Sequence, residues 1–292
     1  MNEVTGQRST RIVLIGTFVL ACLLLYAAVL RALVRDWAID DNYSHGFLIV
    51  PLAAYFVWHR RRRLAEIPVR PSAAGLVIVG AGIVLLFAGQ LGAELFVARF
   101  SILPVAAGSI VFLFGWRCLA ALAFPLAFLL LMIPIPATLF YDIAGPLQLA
   151  ASRLGVAALS ALSIPVLREG NVIVLANASL NVVEACSGIR SLVSLLTVGI
   201  VYGYLTDSRF LVRAVLAGLM LPLAIVTNGA RIAVTAVAAH YYGLPAAEGF
   251  FHAFGGWLAL LCALAVLLVA GPLLKAIADR RAPAPQQASS VR

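Results

Sequence analysis

The sequence predicts an all-α polytopic membrane protein. It calls for about eight transmembrane helices, with interfacial helices and a small extracytoplasmic β-hairpin element just before Cys186. Three observations predict this. Of 292 residues, 63% are hydrophobic and only 11% charged, where a soluble domain carries about 25% charged residues. The mean hydropathy is +1.04, and apolar runs approach the roughly 20 residues that a spanning helix needs. Short basic clusters separate those runs, which is the pattern of cytoplasmic loops. The net charge of +9 therefore reflects membrane topology, and no nucleic-acid partner is expected.

In chain order the expected spans are 12–33, 45–59, 73–93, 101–115, 118–133, 187–205, 211–226 and 253–274. The first has no small-residue cleavage site after it and reads as a retained helix. The second ends at Trp58, and His59-Arg60-Arg61-Arg62-Arg63 follows, the strongest cytoplasmic signal in the chain. Glu94 and Arg99 mark the turn after the third span, Trp116-Arg117 stops the fourth, and Pro134-Ile135-Pro136 stops the fifth. Residues 138–162 have mixed polarity and read as an amphipathic helix at the interface. Gly170-Asn171, between short β-rich runs, signals a hairpin, and Ser179–Val183 a further strand. Exposed strand edges cannot sit in hydrocarbon, so this element belongs outside the bilayer. Residues 1–281 read as a single integral-membrane domain, and the Pro/Ala/Gln/Ser-rich 282–292 as a disordered cytoplasmic tail.

Charge counting sets the orientation. With the amino terminus and the 59–63 cluster in the cytoplasm, region 137–185 falls outside, and Cys186 stands at the outer face. The seventh span then delivers Asn228 and Arg231 to that face. The basic carboxy terminus requires the last span to run inward from His252. Residues 231–242 are left as an interfacial or re-entrant helix on the outer side. The expected orientation thus has both termini cytoplasmic and the lipid bilayer as a partner.

A thiol, an imidazole and guanidinium groups at one end of an apolar bundle are parts suited to acyl transfer. Ionisable groups in apolar surroundings are functional candidates. Cys186 precedes the run starting near Ile189, where the free N–H groups and dipole of a helix start favour a thiolate. Arg190, four residues on, adds a positive charge on the same face. His252 can activate a thiol or protonate a leaving amine, and an arginine can hold an oxyanion. Each member also has a purely structural role open to it. Cys186 can pack a helix entry, Arg190 or Arg231 can anchor an interface, and His252 can join an aromatic belt with Phe250, Phe251 and Phe254. Glu184 can serve as a helix-start acid, and His240 reads as structural. The four cysteines, Cys22, Cys118, Cys186 and Cys262, have no metal-ligand or CxxC spacing, so neither a metal nor a cofactor is expected.

The motifs Glu184-Ala185-Cys186-Ser187-Gly188-Ile189-Arg190-Ser191-Leu192, Asn228-Gly229-Ala230-Arg231-Ile232 and His252-Ala253-Phe254-Gly255-Gly256-Trp257 resemble the exosortase/archaeosortase family of membrane cysteine transpeptidases. Tyr43-Ser44-His45-Gly46-Phe47 before the basic cluster, and Arg168-Glu169-Gly170-Asn171 before the cysteine, fit the same resemblance. It implies a catalytic Cys186, Arg231 and His252; the residues alone do not prefer Arg231 to Arg190. Arg190, Glu184 and Asn228 stand beside them as candidate substrate-binding residues. The implied partners are membrane-anchored secreted proteins with a carboxy-terminal sorting signal, namely a Pro-Glu-Pro-type motif, a membrane helix and a basic tail. The acceptor of the acyl group is not identified. Bacterial members of the family occur beside exopolysaccharide production genes, and only the resemblance implies that the membrane is the bacterial inner membrane. The alternatives are a transporter, or a scaffold of an exopolysaccharide export system. Against a transporter, the ionisable residues gather at one face and no paired repeats appear.

Overall fold

The structure is a computed structural model that describes residues 2–181, 188–243 and 250–281. They belong to two compact units, Met1–Pro136 and Ala137–Arg292. Glu184, Cys186 and the tail 282–292 lie outside the described residues.

In the first unit, helix α1 covers Asn2–Ile39, with its membrane-competent stretch at Ile15–Ile39. It runs past the expected end at residue 33 because Asp36 has a partner. Arg99, on the short helix α5 (Leu95–Phe100), is ion-paired to it. Arg99 therefore does not mark an open turn as the sequence suggested: it is 6% exposed, and the carboxylate opposite makes that burial tolerable. Helix α2 (Gly46–His59) has 14 residues, about 21 Å of rise, which is short of a hydrocarbon core of about 30 Å. Phe56 anchors it edge-on against Phe124 and Phe128, with ring centroids 5.2 and 5.3 Å away. The turn ahead of it is tied to residues 131–135. Trp37 Nε1 donates to the Met132 carbonyl (2.9 Å) and His45 Nε2 meets the Leu131 carbonyl (2.9 Å). A carbonyl can only accept, so Nε2 carries the proton of that bond, and burial lowers the pKa of the ring. The basic cluster continues as a short helix α3 (Arg61–Glu66), where Arg60 donates to the Ala121 carbonyl (2.6 Å). Helices α4 (Ala74–Leu91) and α6 (Ile102–Phe114) pack with α1 through Tyr26, Val29, Val79, Leu86, Ala98 and Val105. Helix α7 (Trp116–Phe128) passes into a 3₁₀ turn, Leu129–Met132.

The second unit opens with α8 (Ala137–Ala161). Its mixed polarity is that of a packed helix: Ala144, Gln148, Ala151, Ser152, Gly155 and Leu159 are buried along one face. Strands β1 (Val166–Glu169), β2 (Val172–Leu175) and β3 (Ser179–Asn181) form an antiparallel sheet in the order β1-β2-β3. Gly170, at φ +62°, lies in the β1–β2 turn where a residue without Cβ is favoured. Strand alternation turns Ile173 and Leu175 inward onto a core with Leu180, Ala151, Leu159, Ile232 and Ala236. Four helices follow: α9 (Gly188–Thr206), α10 (Phe210–Gly218), α11 (Met220–Tyr242) and α12 (Phe250–Arg281). Leu192, Leu195, Leu216, Met220, Ala263 and Leu267 make their shared core. The α9–α10 turn is closed by Arg209, which bonds Asp207 (2.6 Å) and reaches Asp279 near the end of α12 (2.7 Å). That guanidinium holds the Asp207 carboxyl down to about 2, so this carboxylate stays charged at any pH a cell meets.

Among the described residues, five helices, or six if a broken pair is one crossing, are long and apolar enough to span a membrane. The eight expected are thus not all borne out among the described residues. Gly46–His59 and Arg190–Thr206 are apolar but short. The largest departure is at 227–231. The sequence reading ended a span at 226 and set 231–242 apart, but Met220–Tyr242 is one helix, in a single apolar stretch, Phe210–Tyr242. Thr227 does not break it because its hydroxyl bonds back to the Leu223 carbonyl (2.8 Å). Gly229 does not break it because that position is a helix–helix contact. A Cβ there would lie 2.8 Å from Leu154 Cβ and 3.1 Å from the Ala151 carbonyl oxygen of α8. Small residues let membrane helices approach this closely.

Gly229→Val is expected to lower stability by about 1–3 kcal/mol by overpacking. Gly145→Ala, on α8 where nothing lies within 4 Å of the added atom, is expected to leave it unchanged or raise it by up to about 1 kcal/mol. Thermal unfolding of the two variants in detergent checks both.

Candidate functional site

Arg231 lies midway along a helix of 23 residues. Eleven residues separate it from either end, about 17 Å at 1.5 Å per residue. A guanidinium within an apolar helix needs compensation. Asn228, one turn earlier and 4% exposed, supplies part of it. Its Oδ1 accepts from Arg231 Nη2 at 2.8 Å. Arg231 Nε is buried and has no hydrogen-bond partner among the described residues. A buried charged donor left without an acceptor by its own fold marks a place for a transient negative charge.

The helices around it carry the other candidates. Gly199 of α9 packs on Met220 of α11, where an added Cβ would meet Met220 Cγ at 2.6 Å. From that contact α9 runs back eleven residues to its start at Gly188, and α11 runs forward eleven to Arg231. Those are equal helical rises of about 17 Å. Both run toward the sheet. Strand β3 leads into the start of α9, and Asn177 of the β2–β3 turn donates to the His240 carbonyl (2.9 Å) near the end of α11. Helix α12 contacts α9 at Gly271, which lies against Tyr202. Its far end, with Asp279, meets the α9–α10 turn. The start of α12, with His252 in its first turn, therefore points the same way as the start of α9.

The structure brings Asn228 and Arg231 into direct contact and places Arg190 in the first turn of α9. It does not bring Arg231 to a helix end, as the sequence reading had it. Continuous helix through Gly229 puts it within the helix, level with the first turn of α9. Glu184 and Cys186 lie outside the described residues, and so does the side chain of His252, whose backbone opens α12. His240 has a half-buried ring edge-on to Tyr241, with centroids 4.9 Å apart, in keeping with a structural role. Arg168 bonds the Gly170 carbonyl of its own turn (2.9 Å). Among the described residues no group of His, Cys, Asp or Glu is arranged to hold a metal.

Two polar contacts escaped the sequence reading. Asn171 Nδ2 donates to Gln148 Oε1 (3.1 Å), tying the β1–β2 turn to α8, and Asn177 ties the β2–β3 turn to α11. The available signal was Gln148, a lone amide on the apolar face of α8 with asparagines at both strand turns. Together the two bonds fix the sheet from which the chain passes to Cys186.

Residues 37–269 match the family described as transmembrane exosortases. The chain belongs to the transmembrane exosortase family. No curated protein and no solved structure matches it. The match spans both units of this exosortase and includes positions 186, 231 and 252. Family membership and the apolar helices together make it a multi-pass membrane protein of exosortase type.

Asn228→Ala removes the one acceptor that Arg231 has among the described residues. It is expected to lower stability by about 1–3 kcal/mol, with Asn228→Asp retaining most of it. Denaturant unfolding in detergent checks this, and equal stability of Asn228→Ala and the parent would contradict the pairing.

Proposed function

We propose that this exosortase is a membrane-embedded cysteine transpeptidase acting at the outer face of the bacterial inner membrane. It cleaves carboxy-terminal sorting signals of the Pro-Glu-Pro type. The observation that carries this reading is a half-buried arginine whose Nε is buried without an acceptor among the described residues, level with the helix start that follows Cys186, in a chain of the exosortase family. The substrate's own membrane helix docks from the bilayer and presents its motif at the outer face. The Cys186 thiolate attacks the scissile carbonyl carbon, and the carbonyl π electrons move onto oxygen. Arg231 Nε, which has no acceptor among the described residues, donates to that oxyanion, while Asn228 holds the guanidinium by Nη2. As the tetrahedral adduct collapses, the C–N bond breaks and protonated His252 gives its proton to the leaving amine. The product is a thioester on Cys186. An acceptor amine then attacks it, giving a new amide and free thiol, or water attacks, giving a carboxylate.

Arg190, in the first turn of α9, is suited to the motif's glutamate, and Glu184 and Asn228 are the further candidates for contacting the substrate. Both termini lie in the cytoplasm in this scheme, in line with the basic 59–63 cluster and the basic end of α12. Residues 1–281 act as one exosortase domain, consistent with a family match that runs through both units.

The deciding test is a gel shift of a co-expressed membrane protein bearing a Pro-Glu-Pro-type tail. The parent is expected to remove the tail. Cys186→Ala and Cys186→Ser, though inserted at parental levels, are expected to lose at least about 10³-fold in rate. Near-parental processing by an inserted Cys186→Ala variant would rule the scheme out.

A further inference from the structure

The first unit holds a cleft of about 800 Å³ that the reaction above does not use. Its polar wall is Arg31, Arg35, Asp36, Asp40, Tyr43 and Arg99. None of these belongs to the residues assigned to substrate or chemistry. A second, narrower cleft of about 240 Å³ adjoins it, sharing Ala28, Ala32, Leu95 and Arg99. The rest of its wall includes Val29, Gly89, Ala93 and Ala98. One chamber is thus charged, and its neighbour is lined mainly by small apolar residues.

Charge inside the first chamber does not balance. Arg99 is committed to Asp36. Asp40 accepts from the Asn42 backbone N–H (2.9 Å). Three guanidiniums against two carboxylates leave one positive charge, carried at the exposed Arg31 and Arg35, four residues apart on one face of α1. These two sit in the last turns of the membrane-competent stretch Ile15–Ile39, where arginines reach toward headgroup level. The narrow cleft meets α1 at 28–32, deeper along the helix than 35–40. A cationic chamber at headgroup depth, opening onto an apolar groove toward the bilayer interior, has the two compartments of an anionic amphiphile.

We propose that this double cleft is a binding site for one anionic phospholipid. Its singly charged phosphodiester lies between Arg31 and Arg35, and one acyl chain enters the groove beside Ala28 and Ala32. The single excess positive charge matches a phosphodiester without a cationic headgroup, so phosphatidylglycerol is favoured over zwitterionic phosphatidylcholine. An acidic peptide segment would satisfy the arginines but leave the apolar groove unfilled.

Native mass spectrometry of the full chain, released from neutral detergent after titration with each probe, tests this. Phosphatidylglycerol is expected to be retained about tenfold more tightly than phosphatidylcholine. The double variant Arg31→Gln/Arg35→Gln is expected to abolish that preference, and Ala28→Phe, at an exposed position, to weaken phosphatidylglycerol by about tenfold by filling the groove. Equal retention of the two lipids, or retention unaffected by both variants, overturns the proposal. So does displacement of phosphatidylglycerol by equimolar inorganic phosphate, which would make this a phosphate site, or by a short acidic peptide, which would make it a peptide site.

Discussion

Arg231 constrains everything around it in the second unit. A permanent cation midway along a membrane-length helix is costly unless the fold supplies acceptors. This fold supplies one, the Asn228 side chain at 2.8 Å, and leaves Nε buried without another among the described residues. The arrangement is only partly compensated, so it favours whatever brings negative charge to Nε. An oxyanion formed during acyl transfer is such a charge, present in the transition state and absent from the resting protein. The packing of α8 against α11 through Gly229 keeps that guanidinium at a fixed depth. The sheet is bonded to α8 through Gln148 and to α11 through the His240 carbonyl, which fixes its strands as far as Asn181.

Much of this was legible in the sequence. Composition and run length identify a helical membrane protein. Gly170-Asn171 coincides with the turn between β1 and β2. The three motifs carried the family resemblance that the match over 37–269 bears out. What was not legible follows from tertiary compensation. Gly229 beside Asn228 and Arg231 reads as a break in a span, because polarity and glycine both oppose a buried helix. Only the facing backbone of α8 makes the glycine a contact. Arg99 reads as a loop residue until Asp36, far away in sequence, is seen to be its partner. A run such as α2, of 14 residues, looks like a crossing when it is taken alone, but its length in the fold falls short of a hydrocarbon core of about 30 Å.

The two units divide the polar residues differently. In the second, most are tied to one another or to backbone near the elements that carry Cys186, Arg231 and His252. In the first, the ion pair of Asp36 and Arg99 is complete, and the excess charge sits on the exposed Arg31 and Arg35. The family match covers both units, and the two proposals, acyl chemistry in the second and lipid binding in the first, rest on separate residues.

The central claim is a thioester on Cys186, and capture with hydroxylamine tests it most directly. Membranes containing this exosortase and a Pro-Glu-Pro-tailed substrate are treated with hydroxylamine, and the new carboxy terminus is read by mass spectrometry. A thioester predicts a hydroxamate terminus with the parent and none with Cys186→Ala. A carboxylate terminus alone, unchanged by hydroxylamine, would mean that water attacks the substrate directly and would contradict the account.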